Sequence, residues 1–172
     1  MVRTDLTGYE HVHPTLGPDG TFTVQLHIPR PGTYRAIADF VTEHRKYVLG
    51  TNLTAPGPVH STPLPAPALE SHADGYAVEL ERPAQVAAGQ EAQLTFRITR
   101  HALEPYLGSY GHLVALHAPE LSYSHVHPIS ADPANGAITF NTELPQRGTY
   151  RLFLQFRAAG RVHTVAFTQN AS

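Results

Sequence analysis

The sequence predicts an all-β fold, an antiparallel β-sandwich, and three observations carry that reading. Short segments alternate polar and apolar residues, as in Thr21 to Ile28, where Phe22, Val24, Leu26 and Ile28 fall on one face. Turn chemistry separates them, as in Pro18-Asp19-Gly20 and Pro29-Arg30-Pro31-Gly32. No segment sustains a helical period.

Taken in order, residues 1–55 hold a first unit with strands expected at Glu10–His13, Thr21–Ile28, Gly32–Thr42 and Tyr47–Leu53. Residues 56–74 read as a linker, because prolines at 56, 58, 63, 65 and 67 oppose regular ladders. Residues 75–172 hold a seven-stranded domain. Its strands are expected at Tyr76–Glu81, Glu91–Arg100, Leu113–Ala118, Tyr123–His127, Ala137–Leu144, Thr149–Arg157 and Arg161–Thr168. In the second of these, Ala92, Leu94, Phe96 and Ile98 alternate with Gln93, Thr95, Arg97 and Thr99. Short strands at this spacing fit an immunoglobulin-like or cupredoxin-like sandwich. Leu103 to Gly108 reads as a loop with room for one helical turn.

The two units are related. His11-Val12-His13-Pro14 recurs as His125-Val126-His127-Pro128, a tyrosine stands two residues before each (Tyr9, Tyr123), and Gly32-Thr33-Tyr34-Arg35 recurs as Gly148-Thr149-Tyr150-Arg151. The first unit is therefore a partial, four-stranded duplicate of the last four strands of the second. Such a piece leaves an apolar face uncovered and edges unpaired. It is expected to pack on the second unit or on another subunit, or to be the remainder of a longer repeat. Tyr34 and Tyr150 are expected as corner tyrosines that bond nearby backbone.

The repeated element carries chemistry. In a strand, residues i and i+2 share a face, roughly 6.5–7 Å apart at Cα, so two imidazoles there can converge on one ion. The best constellation is His112, His125 and His127, with His163 as a fourth candidate. A hairpin through Ala118 to Leu121 would set His112 beside the His127 end. His11 and His13 form a second candidate pair, with Asp5 or Glu10 as an oxygen ligand. The alternative for His-Val-His-Pro is a repeated structural corner, and for His163 a hydrogen-bonded structural histidine. His27, His44, His60, His72, His101 and His117 read as solvated. Tyr9 and Tyr123 share the face of the histidine pairs, as second-layer hydrogen-bond partners or ordinary packing.

Composition narrows the function. Cysteine is absent and the one methionine is Met1, which excludes disulfides, thiolate zinc sites, iron–sulfur clusters and blue-copper ligation. Twelve histidines stand against fourteen acids, so a transition-metal site would rest on imidazole. A net charge of −2 argues against general nucleic-acid binding. No stretch is long and apolar enough to span a membrane as a helix, and no signal peptide is visible.

Leu103 to Leu116, Tyr123 to Pro128, Gly148 to Phe156 and Val162 to Phe167 together resemble a family of bacterial secreted or membrane-anchored β-sandwich proteins with a repeated His-Val-His-Pro motif. Asp5 to Pro14 is similar to a unit found upstream in such proteins. The resemblance covers most of the chain. It implies an extracytoplasmic sandwich associated with heavy metals, copper above all, and no established catalytic activity.

Three functions remain in view. The leading expectation is a non-enzymatic protein that binds copper or zinc through the histidine cluster. The second is an adhesive or scaffolding sandwich that assembles as a homo-oligomer through exposed strand edges. The third is a histidine-ligated metalloenzyme, for which Glu104 and Glu120 are the nearby acids in sequence.

Overall fold

The computed structural model describes residues 1–83, 85–99, 102–118 and 120–172. The protein divides into two compact units, Met1–Leu64 and Pro65–Ser172. Among the described residues every regular element is a strand.

In the first unit the strands are β1 (Val2–Arg3), β2 (Thr15–Leu16), β3 (Phe22–Thr23), β4 (Gly32–Thr42) and β5 (Arg45–Ala55). β4 and β5 form an eleven-pair antiparallel ribbon turned at Glu43-His44, both with positive φ, and β1 adds only at Tyr34 and Arg35. Two expectations fail here. Residues 10–13 join no ladder, and Thr21–Ile28 is paired only at Phe22–Thr23. A strand needs a neighbour as well as an alternating pattern. Glu10 exchanges backbone hydrogen bonds with Met1 alone, and among the described residues no ladder pairs residues 24–28. Phe22, Val24 and Ile28 are consequently exposed.

What holds this unit is a polar knot. Arg3 is buried, donates from Nε to Pro31 O and from Nη2 to His60 O, and pairs through Nη1 with Asp5 Oδ2. Asp5 also accepts from Thr7 Oγ1, Thr7 N and Thr62 N. Burial alone would raise the Asp5 carboxyl; these hydrogen bonds and the Arg3 charge outweigh it and hold the carboxyl below its ordinary value. A carboxyl whose folded pKa lies below its unfolded one stabilises the fold above the unfolded value, and that contribution fades as pH falls through the folded one. Asp5→Asn is therefore expected to cost about 1–3 kcal/mol at neutral pH. In denaturant titrations the gap between wild type and variant should close under acid; a gap independent of pH would contradict this account.

The second unit contains β6 (Glu70–Ala73), β7 (Tyr76–Glu81), β8 (Glu91–Ile98), β9 (Gly111–His117), β10 (Tyr123–Val126), β11 (Pro128–Asp132), β12 (Ala137–Glu143), β13 (Gly148–Ala158) and β14 (Arg161–Ala171). They form a four-stranded sheet ordered β10-β9-β13-β14 and a five-stranded sheet ordered β11-β12-β8-β7-β6. One hydrophobic core draws on both. Phe96 of β8 and Phe140 of β12 meet edge to face at 5.7 Å, and Phe96 reaches Phe167 of β14 at 5.4 Å. This is the all-β sandwich that the alternation predicts. β6 lies in the stretch read as linker, and β11 is an addition to the seven expected strands. Arg100, at the expected end of β8, and His101 lie outside the described residues, as do Ala84 and Pro119.

Both corner tyrosines form. Tyr34 donates its hydroxyl to Arg30 O at 2.9 Å, and Tyr150 donates to Gln146 O at 3.0 Å. The glycine two residues earlier is explained by what lies against it. Gly32 and Gly148 both have φ +131°, and a Cβ would stand 2.9 Å from Arg3 Nε in the first and 2.7 Å from His117 Nε2 in the second. Arg3 and His117 thus occupy equivalent places in the two units.

Candidate metal centre

The site grows from one hairpin. β9 and β10 pair antiparallel with Tyr123 opposite Leu116 and Val126 opposite Leu113. The turn is closed by His117 N to Ser122 O (3.1 Å) and Leu121 N to His117 O (2.9 Å). Continued by one step, this register sets His127 opposite His112. Leu113 and Ala115 belong to the core, so the side chains between them in sequence take the outer face of the sheet. His112 and His125 lie on that face together.

His127 is followed by the point where the chain changes sheets. β10 belongs to the four-stranded sheet and β11, starting at Pro128, to the five-stranded one, with a register irregularity between Pro128 and Ser130. Proline has no N–H for the ladder, so it suits such a crossing. The motif is therefore a sheet-switching corner as well as a pair of imidazoles.

The three rings converge. Centroids are 4.8 Å apart for His125–His127, 5.8 Å for His112–His125 and 6.4 Å for His112–His127. One ring nitrogen from each lies within 4.8 Å of the others, and among the described residues no other such group of three His, Asp or Glu ligands exists. Burial is graded: His112 is buried, His125 half-buried and His127 exposed, so the group opens to solvent at one end.

His112 is oriented by a residue that sequence reading missed. Its Nε2–H donates to the carbonyl oxygen of Tyr106 at 3.1 Å, since a carbonyl only accepts. In the neutral ring that leaves the lone pair on Nδ1. The Tyr106 carbonyl is itself fixed by a tight turn, with Tyr106 N to Ser109 O at 2.7 Å and Ser109 N to Tyr106 O at 3.1 Å. Leu107 and Gly108, at φ 53° and 78°, are its two central residues, so the segment is a two-residue β-turn and not a helical one. The Leu-Gly dipeptide before His112 was the available signal.

The remaining candidates sit apart from this trio. His163 pairs with Phe156, which pairs with Gly111, so it belongs to the inner face of the same sheet. Its ring is buried, Nδ1 faces Asp74 Oδ2 at 2.9 Å and Nε2 donates to Ala158 O at 3.1 Å. It is the hydrogen-bonded structural histidine and not a fourth ligand. His11 and His13 are close to each other, centroids 5.0 Å apart, but no third ligand completes them within the first unit. Asp5 is committed to Arg3, Thr7 and Thr62, and Glu10 accepts from His27 N. His117 was expected in solvent and is instead buried against the Tyr150 ring at 4.9 Å, donating from Nε2 to Arg147 O. Tyr123 lies 6.4 Å from His125, ring to ring. Glu104 binds Arg157 and the Gly160 N–H, and Glu120 stands 3.8 Å from His117.

A sequence-family model for a domain of unknown function, DUF8832, matches residues 71–172. The chain belongs to the DUF8832 family. The matched span runs from β6 to the end of β14 and contains the whole histidine trio, so the DUF8832 domain coincides with the two-sheet sandwich. No curated protein matches the chain. No helix of the described residues is long and apolar enough to cross a membrane.

Proposed function

We propose that this DUF8832 protein is a non-enzymatic metal-binding protein that captures copper or zinc outside the cytoplasm with His112, His125 and His127. The observation that carries the reading is the convergence of three imidazoles, one from each of two β9–β10 positions and one from the corner, to within 4.8 Å of one another. Neutral imidazole suits both Cu(II) and Zn(II), and three such ligands leave a position open for water or an incoming ligand. The Tyr106 carbonyl supports it further, because an outer acceptor on the second ring nitrogen is the usual partner of a metal-ligating histidine. Extracytoplasmic placement rests on the family resemblance alone.

Calorimetric titration of tag-free protein with Cu(II) and Zn(II) tests the proposal. The trio should take up one ion, and His125→Ala together with His127→Ala should weaken that event at least 100-fold. No stoichiometric uptake, or uptake unchanged in the double variant, would end it.

A further inference from the structure

The three imidazoles of the proposed site are not held alike. His112 stands on β9, which pairs with β10 on one side and with β13 on the other, where His112 lies opposite Gln155. Its ring is buried, bonded at Nε2 to the Tyr106 carbonyl and met edge-on by the Tyr106 ring at 5.8 Å. His125 is half-buried and belongs to β10, the edge strand of that sheet. His127 is exposed and belongs to neither β10 nor β11, and among the described residues it joins no ladder.

These differences set an order of mobility. A packed ring changes rotamer only when its neighbours yield, whereas an exposed one turns within nanoseconds. Ladder bonds on both sides also fix the backbone under His112, and none fixes it under His127. An ion held by three imidazoles keeps a position for a fourth donor. Because burial falls from His112 through His125 to His127, that donor approaches from the His127 end.

We infer that this end is the exit of a handover site: an acceptor places a donor atom in the fourth position, and His127 is the first imidazole to let go, then His125, with His112 last. The inference rests on the proposed metal-binding function and gives it a direction. At each step one bond to an imidazole nitrogen breaks as one to an acceptor atom forms, so no electron changes hands. The acceptor must be multidentate, with nitrogen, oxygen or sulfur donors, because a single donor fills the open position and releases nothing.

Stopped-flow mixing of the zinc-loaded, tag-free full chain with excess pyridylazoresorcinol, a chromogenic multidentate chelator, tests this. The transfer rate should rise in proportion to chelator concentration. His127→Ala should steepen that dependence about tenfold, since the first bond to be broken is already gone. Gly108→Val, which strains the turn behind His112 at φ 78°, should lower affinity yet leave the slope within about twofold, because His112 parts last. The inference is overturned by a rate independent of chelator concentration, by a slope unchanged in His127→Ala, or by a slope that rises as much in Gly108→Val as in His127→Ala. Any of these with zinc uptake intact removes the handover and leaves metal binding standing; absence of uptake overturns both. Circular dichroism checks the fold of each variant, and His127→Gln and Gly108→Ala replace them if the first choices disturb it.

Discussion

Phe96→Ala is expected to destabilise the second unit by about 3–5 kcal/mol, the range for truncating a buried phenylalanine. Phe96 is fully buried on β8 and is one of the rings that join the two sheets, touching Phe140 within its own sheet and Phe167 across the core. The cost has two parts, the lost transfer of the ring from water and the cavity left between rings that are held by their own ladders. Pairing of β8 with both β12 and β7 limits how far the backbone can collapse into the space. Chemical denaturation of residues 65–172 within the full chain, followed by tyrosine fluorescence, would measure it. A loss below about 1 kcal/mol would mean that the sheets do not pack through this residue.

The second large effect concerns the trio. His112→Ala should weaken Cu(II) or Zn(II) uptake by about two orders of magnitude, or about 2.7 kcal/mol. It removes the one ligand that arrives from β9 and the one whose orientation is fixed from behind by Tyr106. A subtler variant probes that support. Gly108→Val places a β-branched residue at φ 78°, where only glycine is unstrained, and should shift the turn that holds the Tyr106 carbonyl. The expected loss is about tenfold, at the lower end of what outer partners of metal ligands are worth. Calorimetry reads both. Affinity unchanged in His112→Ala would show that the ion, if bound, rests on the His125–His127 pair alone.

Much of this arrangement was legible before any coordinates. The hairpin that brings His112 to His127 follows from two short strand segments, a brief connection between them at residues 118–121 and a proline that ends the second. The corner tyrosines follow from Gly-Thr-Tyr-Arg. What escaped notice did so for physical reasons. β6 and β11 are short edge strands, one in a proline-rich stretch, the other bent by an irregularity at Pro128, so neither shows a periodic pattern. Thr21–Ile28 alternates well, but pattern chooses a face and does not supply a neighbour. His163 was a candidate ligand because the face it takes is decided by the register of β14 on β13, and of β13 on β9, which sequence does not state. His117 was read from its nearness to a turn, whereas its burial comes from the Tyr150 ring and the glycine beneath it. The Tyr106 carbonyl is main chain, invisible to any search by residue type.

The corner at Pro128 gives the trio a thermodynamic role of its own. His112 and His125 are rooted in one layer of the sandwich, and His127 in the link that carries the chain to the other. A cation gripped by all three would act as a clasp on the junction between layers, and unfolding would have to undo it. Binding of that kind raises resistance to denaturation by mass action, about 2.7 kcal/mol when the free ion stands at a hundred times its dissociation constant. Scarcity of the ion would loosen the protein at that same seam.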